Sequence, residues 1–207
     1  MDTTLFPTKG NLIKAKASLR LSKQGYELLD KKRNILIREM MLLIDKADAI
    51  QKEIDVTFSG AYEALQMANI TIGISTVEEI GYAIDEEIGV HIKVRSIMGV
   101  EIPVVTIEEK EIKPQFGVSR TNIALDEAFQ KFYKVKHLTV VIAEIENAIY
   151  RLAINIKRTQ KRANALKNVM IPRYERITKD ITNALEEKER EEFTRLKMIK
   201  AKKERAS

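Results

Sequence analysis

The 207-residue sequence contains no cysteine and no tryptophan, and it has only 8 glycines and 4 prolines. Without cysteine the chain can form neither disulfide bonds nor a thiolate metal site. The glycines do not cluster, and no phosphate-binding loop of the form Gly-x-x-x-x-Gly-Lys occurs. These absences exclude disulfide-stabilised folds, zinc fingers and P-loop nucleotide sites.

Long hydrophobic runs are also missing. The longest, Met40–Ile44 and Thr139–Ala143, fall far short of the roughly 20 apolar residues that a membrane-spanning helix needs. The first residues, Met1–Leu5, contain neither the basic nor the apolar region of a secretory signal. We therefore expect a soluble cytoplasmic protein with no direct membrane insertion.

Charged residues are abundant, at 32% of the chain, whereas aromatic residues make up 6%. This composition is typical of long helices with solvated faces. Lysine and arginine are concentrated in Lys9–Arg33 and acidic residues in Glu78–Glu111, so the formal net charge of +6 is unevenly placed. A basic protein can bind nucleic acid, but here cations alternate with acids along predicted helices, as on an ordinary solvated helix face.

The C-terminal region, residues 122–203, has the pattern of one very long helix. Apolar or small residues recur there at alternating spacings of three and four, the a/d pattern of a coiled coil. They are Val135, Leu138, Ile142, Ile145, Ile149, Leu152, Ile156, Thr159, Ala163, Leu166 and Met170. Such a helix would be on the order of 120 Å long. Pro172 removes the hydrogen bond to the Asn168 carbonyl, so we expect a kink there.

The N-terminal region has the same pattern, with Thr8 as the predicted N-cap of its helix. The heptad positions are Leu12, Ala15, Leu19, Ser22, Tyr26, Leu29, Arg33, Leu36, Met40, Leu43, Ala47, Ile50, Ile54, Thr57, Ala61, Ala64 and Ala68. Gly25 and Gly60 lie inside this helix, each at a cost of about 1 kcal/mol relative to alanine. Each glycine indicates either that another element lies close to the helix at that point, or that the helix simply tolerates a glycine there because many other contacts support it.

The region between the two helices has a different pattern. Ser75–Glu78 has the form of a capping box and predicts a short helix that ends near Asp85–Gly89. Val90–Arg95 then alternates apolar and polar residues, and Val100–Ile107 is rich in β-branched residues, which together predict a hairpin turning at Met98-Gly99. Pro103 predicts an edge position in the second strand.

Two long helices joined by a compact insert can pack only as an antiparallel pair. We predict a mainly α fold: a long two-stranded antiparallel coiled coil of the N- and C-terminal helices, with a small middle region that contains a short helix and a β-hairpin. The predicted divisions are residues 1–70, 71–121 and 122–207. If Ala68 at the end of the first helix lies beside Asn122 at the start of the second, facing residues should have numbers that sum to about 190.

The sequence contains no recognisable catalytic constellation, and we predict no catalytic, cofactor-binding or metal-binding residue. His91 and His137 are interpreted as ordinary surface or interhelical residues. The carboxylates between Glu186 and Glu192 alternate with Lys188 and Arg190, as on a solvated helix face with internal ion pairs.

Three stretches carry recognisable motifs. The first is Pro7-Thr8-Lys9, with Leu12 shortly after it. The second is Lys23–Arg33, and the third and most specific is Lys157–Leu166 with Ile171-Pro172 downstream. Together they resemble the D subunit of the V-type and A-type rotary ATPases, whose pattern has Lys-x-Gly-x-x-Leu-Leu-x-x-Lys in the second stretch and Lys-Thr-x-Arg-Arg-Val-Asn-Ala-Leu-Glu followed by Ile-Pro in the third. The third stretch departs from that pattern at Ala163, where valine is usual, and at Lys167, where glutamate is usual.

This resemblance implies a non-catalytic central-stalk subunit, the rotor shaft of a V/A-type rotary ATPase. Such a subunit couples ATP hydrolysis or synthesis in the catalytic ring of subunits A and B to ion translocation through the membrane ring. The resemblance further implies that the F subunit binds to the side of the shaft, that a funnel-shaped subunit, C or d, lies below it, and that the shaft has no cofactor. It places the chain in the soluble sector, peripheral to the membrane.

The predicted register places the second and third motifs side by side. We hypothesise that they form the contact with the catalytic ring, through charge-assisted contacts to acidic or carbonyl groups. The candidate residues are Lys23, Gly25, Lys32, Arg33, Arg158, Lys161, Arg162 and Asn164. The alternative is that these cations only solvate the helices. We expect the acidic middle region to contact the lower stalk or the F subunit.

A different class of protein also fits the composition. A basic coiled-coil scaffold or nucleic-acid-binding protein would be retained on DNA or RNA with a steep dependence on salt concentration. That interpretation does not account for the predicted hairpin between the two helices.

Overall fold

The computed structural model describes residues 6–84, 89–107, 117 and 121–206. The elements follow the predicted order along the chain, with a π-helix between the last two helices. They are α1 (Lys9–Ile72), α2 (Ile74–Gly81), β1 (Val90–Ile97), β2 (Val100–Ile107), α3 (Ile123–Ala165), the π-helix (Leu166–Met170) and α4 (Ile171–Ala206). None of the helices in these described residues carries an apolar stretch long enough to cross a membrane.

Side-chain hydrogen bonds cap the first turns of α1 and α3. The Thr8 hydroxyl accepts a hydrogen bond from the Asn11 N–H at 3.2 Å, which confirms the predicted N-cap of α1. At the start of α3, Asn122 Oδ1 accepts from the Leu125 N–H at 3.0 Å. Each cap satisfies one of the backbone donors that the first turn of a helix leaves without an intrahelical partner.

The predicted coiled-coil positions are buried or half-buried throughout. No heptad position predicted between Leu12 and Ala68 is exposed, and none is exposed between Val135 and Met170. The chain forms two compact units, one of residues 1–34 and 157–207 and the other of residues 35–156. In each unit the N-terminal helix packs against a C-terminal helix, which confirms the predicted antiparallel helical fold.

In the second unit, the side chain of Lys131 in α3 reaches Gly60 of α1. Lys131 Nζ donates a hydrogen bond to the Gly60 carbonyl at 3.2 Å and lies 3.4 Å from the position that a Cβ at residue 60 would occupy. Phe58, Tyr62 and Phe132 pack around this point, with ring centroids between 5.5 and 6.3 Å apart. An added Cβ would make an ordinary van der Waals contact with the end of this flexible lysine side chain, so the packing does not require glycine at residue 60.

The short helix α2 differs from its prediction at both ends. Its N-cap is Gly73, with φ of 96°, and no side chain caps it, so the predicted capping box at Ser75 does not form. Only Gly73 separates α2 from α1, because its left-handed conformation interrupts the helix at a position that glycine tolerates. The helix ends at Gly81, before the predicted Asp85–Gly89; of that range, residues 85–88 lie outside the described part of the chain.

The β-hairpin turns where the sequence predicts. Met98 and Gly99 have φ of 51° and 74°, as a two-residue turn of the I′ type requires. Ile97 pairs with Val100, and Val94 pairs with Pro103. Val100 and Ile102 are buried against α1 and α3 in the main apolar cluster of the second unit. The hairpin is therefore stabilised by packing on the helices, as a two-stranded sheet in water must be.

Before Pro172 the structure contains a π-helix, so the C-terminal region is not one uninterrupted α-helix. The Ile171 N–H bonds to the Leu166 carbonyl, one residue farther back than in an α-helix. A continued heptad pattern would bury Arg173 and Asp180, which are exposed; Tyr174 and Ile181 take those positions instead. The π-helix thus absorbs one extra residue and returns the apolar stripe to the packed side.

Candidate partner-contact site

All eight candidate contact residues lie in the first compact unit. There, a Cβ added to Gly25 would lie 3.5 Å from Leu166 Cδ1, and Arg33 contacts Gln160. Both pairs agree with the predicted register, in which facing residue numbers sum to about 190. The structure therefore brings the Lys23–Arg33 and Lys157–Leu166 motifs together.

Arg33 is held inside this unit by a network of hydrogen bonds. Its Nη1 donates to Gln160 Oε1 at 2.7 Å, and its Nη2 lies 2.8 Å from Asp30 Oδ1. Asn34 Oδ1 accepts from Arg33 Nη2 at 3.0 Å. Gln160 Nε2 in turn donates to Asn164 Oδ1 at 2.7 Å. Two candidate contact residues, Arg33 and Asn164, are thus joined to each other through Gln160.

The sequence carried a signal for this network that the motif comparison missed. Arg33 stands at a heptad position, where a charged side chain must find hydrogen-bonding partners because burial without them is costly. Its side chain is 25% exposed. Its partners come from its own helix and from Gln160, next to the buried Thr159. Which residue of the facing helix meets Arg33 depends on the register, and therefore on the tertiary structure.

Lys23 forms an ion pair with a residue of α4. Its Nζ lies 2.7 Å from Glu175 Oε1, and both side chains are about half exposed. An exposed ion pair of this kind contributes about 0–1 kcal/mol, because water screens it. Nearby, Lys167 Nζ lies 5.8 Å from the centre of the Tyr26 ring. Lys167, directly after the Lys157–Leu166 motif, therefore lies over a ring of the Lys23–Arg33 motif.

Three of the four remaining candidate cations form an exposed patch. Arg158, Lys161 and Arg162 are exposed and spaced so that they lie on one face of α3, away from the buried Thr159 and Ala163. Within the described part of the chain, none of the three forms an ion pair. We call Arg158, Lys161 and Arg162 the cationic patch. Lys32, in α1, is half-buried.

Across the described residues, no group of three or more His, Asp or Glu side chains could hold a metal ion. His91 lies on β1, and the His137 ring packs 4.7 Å from that of Tyr133. The cationic patch is an exposed, positively charged surface.

The Arg33 network yields a stability prediction. Replacing Arg33 with methionine keeps an unbranched side chain but removes the donors to Gln160, Asp30 and Asn34. We expect the free energy of unfolding of the isolated chain to fall by about 1–2 kcal/mol, the range for hydrogen bonds to a charged group with some solvent access. Urea denaturation monitored by circular dichroism measures it. Arg20→Met, at an exposed position of the same helix, should cost less than about 0.5 kcal/mol. Equal losses in the two variants would contradict an internal role for Arg33.

The comparisons with known proteins give one consistent result. Residues 11–201 match the family model that describes the D subunit of ATP synthase. The chain is 46% identical over 196 residues to the V-type ATP synthase D subunit of Thermotoga neapolitana, covering 95% of this chain and 97% of that protein. It is 35% identical over 198 residues to the A-type ATP synthase D subunit of Pyrococcus furiosus, covering 94% and 92%. The A-type ATP synthase D subunit of Methanobrevibacter smithii is 37% identical over 198 residues, covering 94% and 86%.

Proposed function

This chain belongs to the family of ATP synthase D subunits, and from that membership we propose that it is the non-catalytic central-stalk subunit, the rotor shaft, of a V/A-type rotary ATPase. The observation that carries the proposal is the family match over residues 11–201. The antiparallel packing of long helices supports the proposal. A shaft that transmits torque must be stiff, and packed helices supply this stiffness without a globular core. The coiled-coil scaffold or nucleic-acid binder is not supported.

As an ATP synthase subunit, the chain assembles with other subunits of that complex. We propose a ring of subunits A and B around it, the F subunit on its side and a funnel-shaped subunit, C or d, beneath it. ATP hydrolysis and synthesis take place on the ring, and this chain carries no active site and no cofactor. In this proposal it works in the cytoplasm, in the soluble sector peripheral to the membrane.

The cationic patch is the proposed point of contact with the ring. Arg158, Lys161 and Arg162 present their charge on one face of α3, while the opposite face packs in the helical seam. A ring subunit that faces the patch therefore meets a different surface from one that faces another side of the same helices. A binding element shifts the equilibrium of a partner only through contacts that differ between the partner's states. Rotation of this patch would bias each ring subunit in turn.

Co-purification tests the proposed function. The chain, tagged at its C-terminus, is expressed in its source cells and captured at moderate salt after nuclease treatment. We expect subunits A, B and F to be recovered with it, and ATP hydrolysis activity to follow the captured material. Recovery of nucleic acid without these subunits, with binding that falls steeply as salt rises, would overturn the proposal. An untagged strain processed in parallel is the control for non-specific capture.

A further inference from the structure

The two outer edges of the β-hairpin are in different environments. On β2, the Val105 N–H donates to Glu144 Oε2 of α3 at 2.7 Å, and the Glu101 carbonyl accepts from Arg151 Nη1 at 3.2 Å. Between them, Pro103 has no N–H to offer. The outer edge of β2 is therefore occupied by α3.

Among the described residues, nothing pairs with the outer edge of β1. The two-residue turn makes Ile97 and Val100 a hydrogen-bonded pair, and bonded and non-bonded pairs alternate along an antiparallel ladder. The backbone N–H and C=O groups of Ile92 and Val94 therefore point away from β2. Over residues 6–84, 89–107, 117 and 121–206, no protein group forms a hydrogen bond with these outward groups. This edge offers donors and acceptors at the spacing of a strand.

The side chains of β1 indicate the chemistry of a strand that could pair there. Ile92 and Val94 are 70% and 64% exposed on the face that points away from the helices. On the other face, Lys93 and Arg95 are exposed as well. Side chains on neighbouring strands contact each other across a sheet, and opposite charges there are favourable while like charges are not. Two copies of β1 would bring lysine and arginine together, which disfavours self-pairing.

We infer that the outer edge of β1 binds an extended segment of another subunit of the ATP synthase, as a third strand in which apolar residues alternate with Asp or Glu. Backbone hydrogen bonds to Ile92 and Val94 hold the segment, its apolar residues pack beside those two side chains, and its acidic residues lie beside Lys93 and Arg95. This inference rests on the proposed function, which makes the partner a subunit of the same complex.

Amide hydrogen exchange tests the open edge. Exchange is followed by mass spectrometry with fragmentation in the isolated chain and in the co-purified complex. We expect the amides of Ile92 and Val94 to exchange at least about tenfold more slowly in the complex, because a third strand would bond them. Unchanged exchange at these amides in the complex would overturn the inference. Protection that instead appears in the free chain and grows with its concentration would overturn the choice of partner.

Two variants at residue 94 separate backbone pairing from side-chain contact. Val94→Pro removes the outward N–H, and the ladder of the hairpin does not use that group. Val94→Thr keeps the N–H and a β-branched side chain. We expect the proline variant to lose protection at Ile92 in the complex and the threonine variant to keep it. If the two variants behave alike, the backbone does not mediate the contact and the inference is wrong.

A further variant keeps the experiment decisive if the proline disturbs the hairpin. The double substitution K93E/R95E leaves the backbone unchanged and reverses both charges, and it should reduce the protection at least about fivefold through like-charge repulsion. Full protection in this variant would overturn the acidic partner. Failure of subunits A, B and F to co-purify counts against the proposed function; their recovery with an unprotected β1 counts against this inference alone.

Discussion

Replacing Leu152 with alanine should lower the free energy of unfolding by about 2–5 kcal/mol, the range for a buried leucine whose removal leaves a cavity. Leu152 is 0% exposed and belongs to the apolar cluster of Leu36, Val100, Ile102 and Ala148. These residues come from α1, α3 and β2, so the cavity opens where three elements meet. With rigid helices on two sides, the site has little freedom to collapse around the smaller side chain.

Chemical denaturation of the isolated chain, followed by helical circular dichroism, measures this effect. Leu42→Ala is the matched control, since Leu42 lies in the same compact unit and is 52% exposed. It should cost less than about 1 kcal/mol, because most of the removed surface is already in water. Equal denaturation midpoints for the two alanine variants would contradict the burial of Leu152 in this cluster.

Reversing the charge of Arg162 should weaken assembly with the A and B subunits about tenfold to a hundredfold, because a charge-assisted hydrogen bond worth about 1.5–3 kcal/mol is lost. Repulsion from an acidic partner would add to this loss. Arg162 is exposed and forms no ion pair within the described residues, so Arg162→Glu should leave the stability of the free chain within about 0.5 kcal/mol of the parent. A reduced rate of ATP turnover in the reconstituted complex should accompany the weaker assembly.

Titration of the ring with the purified chain measures assembly, and a coupled assay measures ATP turnover. Lys52→Glu introduces the same charge change at an exposed position of α1 outside the cationic patch, and it should leave both quantities close to those of the parent. Raising the salt concentration should narrow the difference between Arg162→Glu and the parent, since salt screens exposed charges. Unchanged assembly and unchanged turnover in Arg162→Glu would defeat the hypothesis that the patch contacts the ring.

Several features of the fold could be predicted because their causes are local. The hydroxyl of Thr8 caps α1 by reaching an N–H three residues away, and Gly99 tolerates the positive φ that a two-residue turn demands. Heptad spacing predicted which residues of α1 and α3 are buried, because a helix repeats its geometry at every turn. Ser75 is the exception. It matches a capping pattern, but the N-cap of α2 is Gly73, so Ser75 lies inside the helix.

The candidate site was predictable as a pair of neighbouring motifs but not as a set of contacts. Gly25 does face Leu166, as the antiparallel register implies. Motif likeness placed Arg33 and Arg162 in one class, although one is held among Asp30, Asn34 and Gln160 and the other is exposed. A motif records which residue types occur together, and it does not record which side of the helix each of them occupies.

The sequence by itself determined the helical periodicity, the hairpin turn and the family to which the chain belongs. Each of these depends on patterns of residues that are close together along the chain. The tertiary structure alone decided that a π-helix realigns Tyr174 and Ile181 with the packed side, and that α3 occupies the outer edge of β2 and not that of β1. Both depend on how the surface of one element fits another, and that fit involves residues far apart in the sequence. Residues so far apart in the sequence form hydrogen bonds and bury each other only when the helices have packed together.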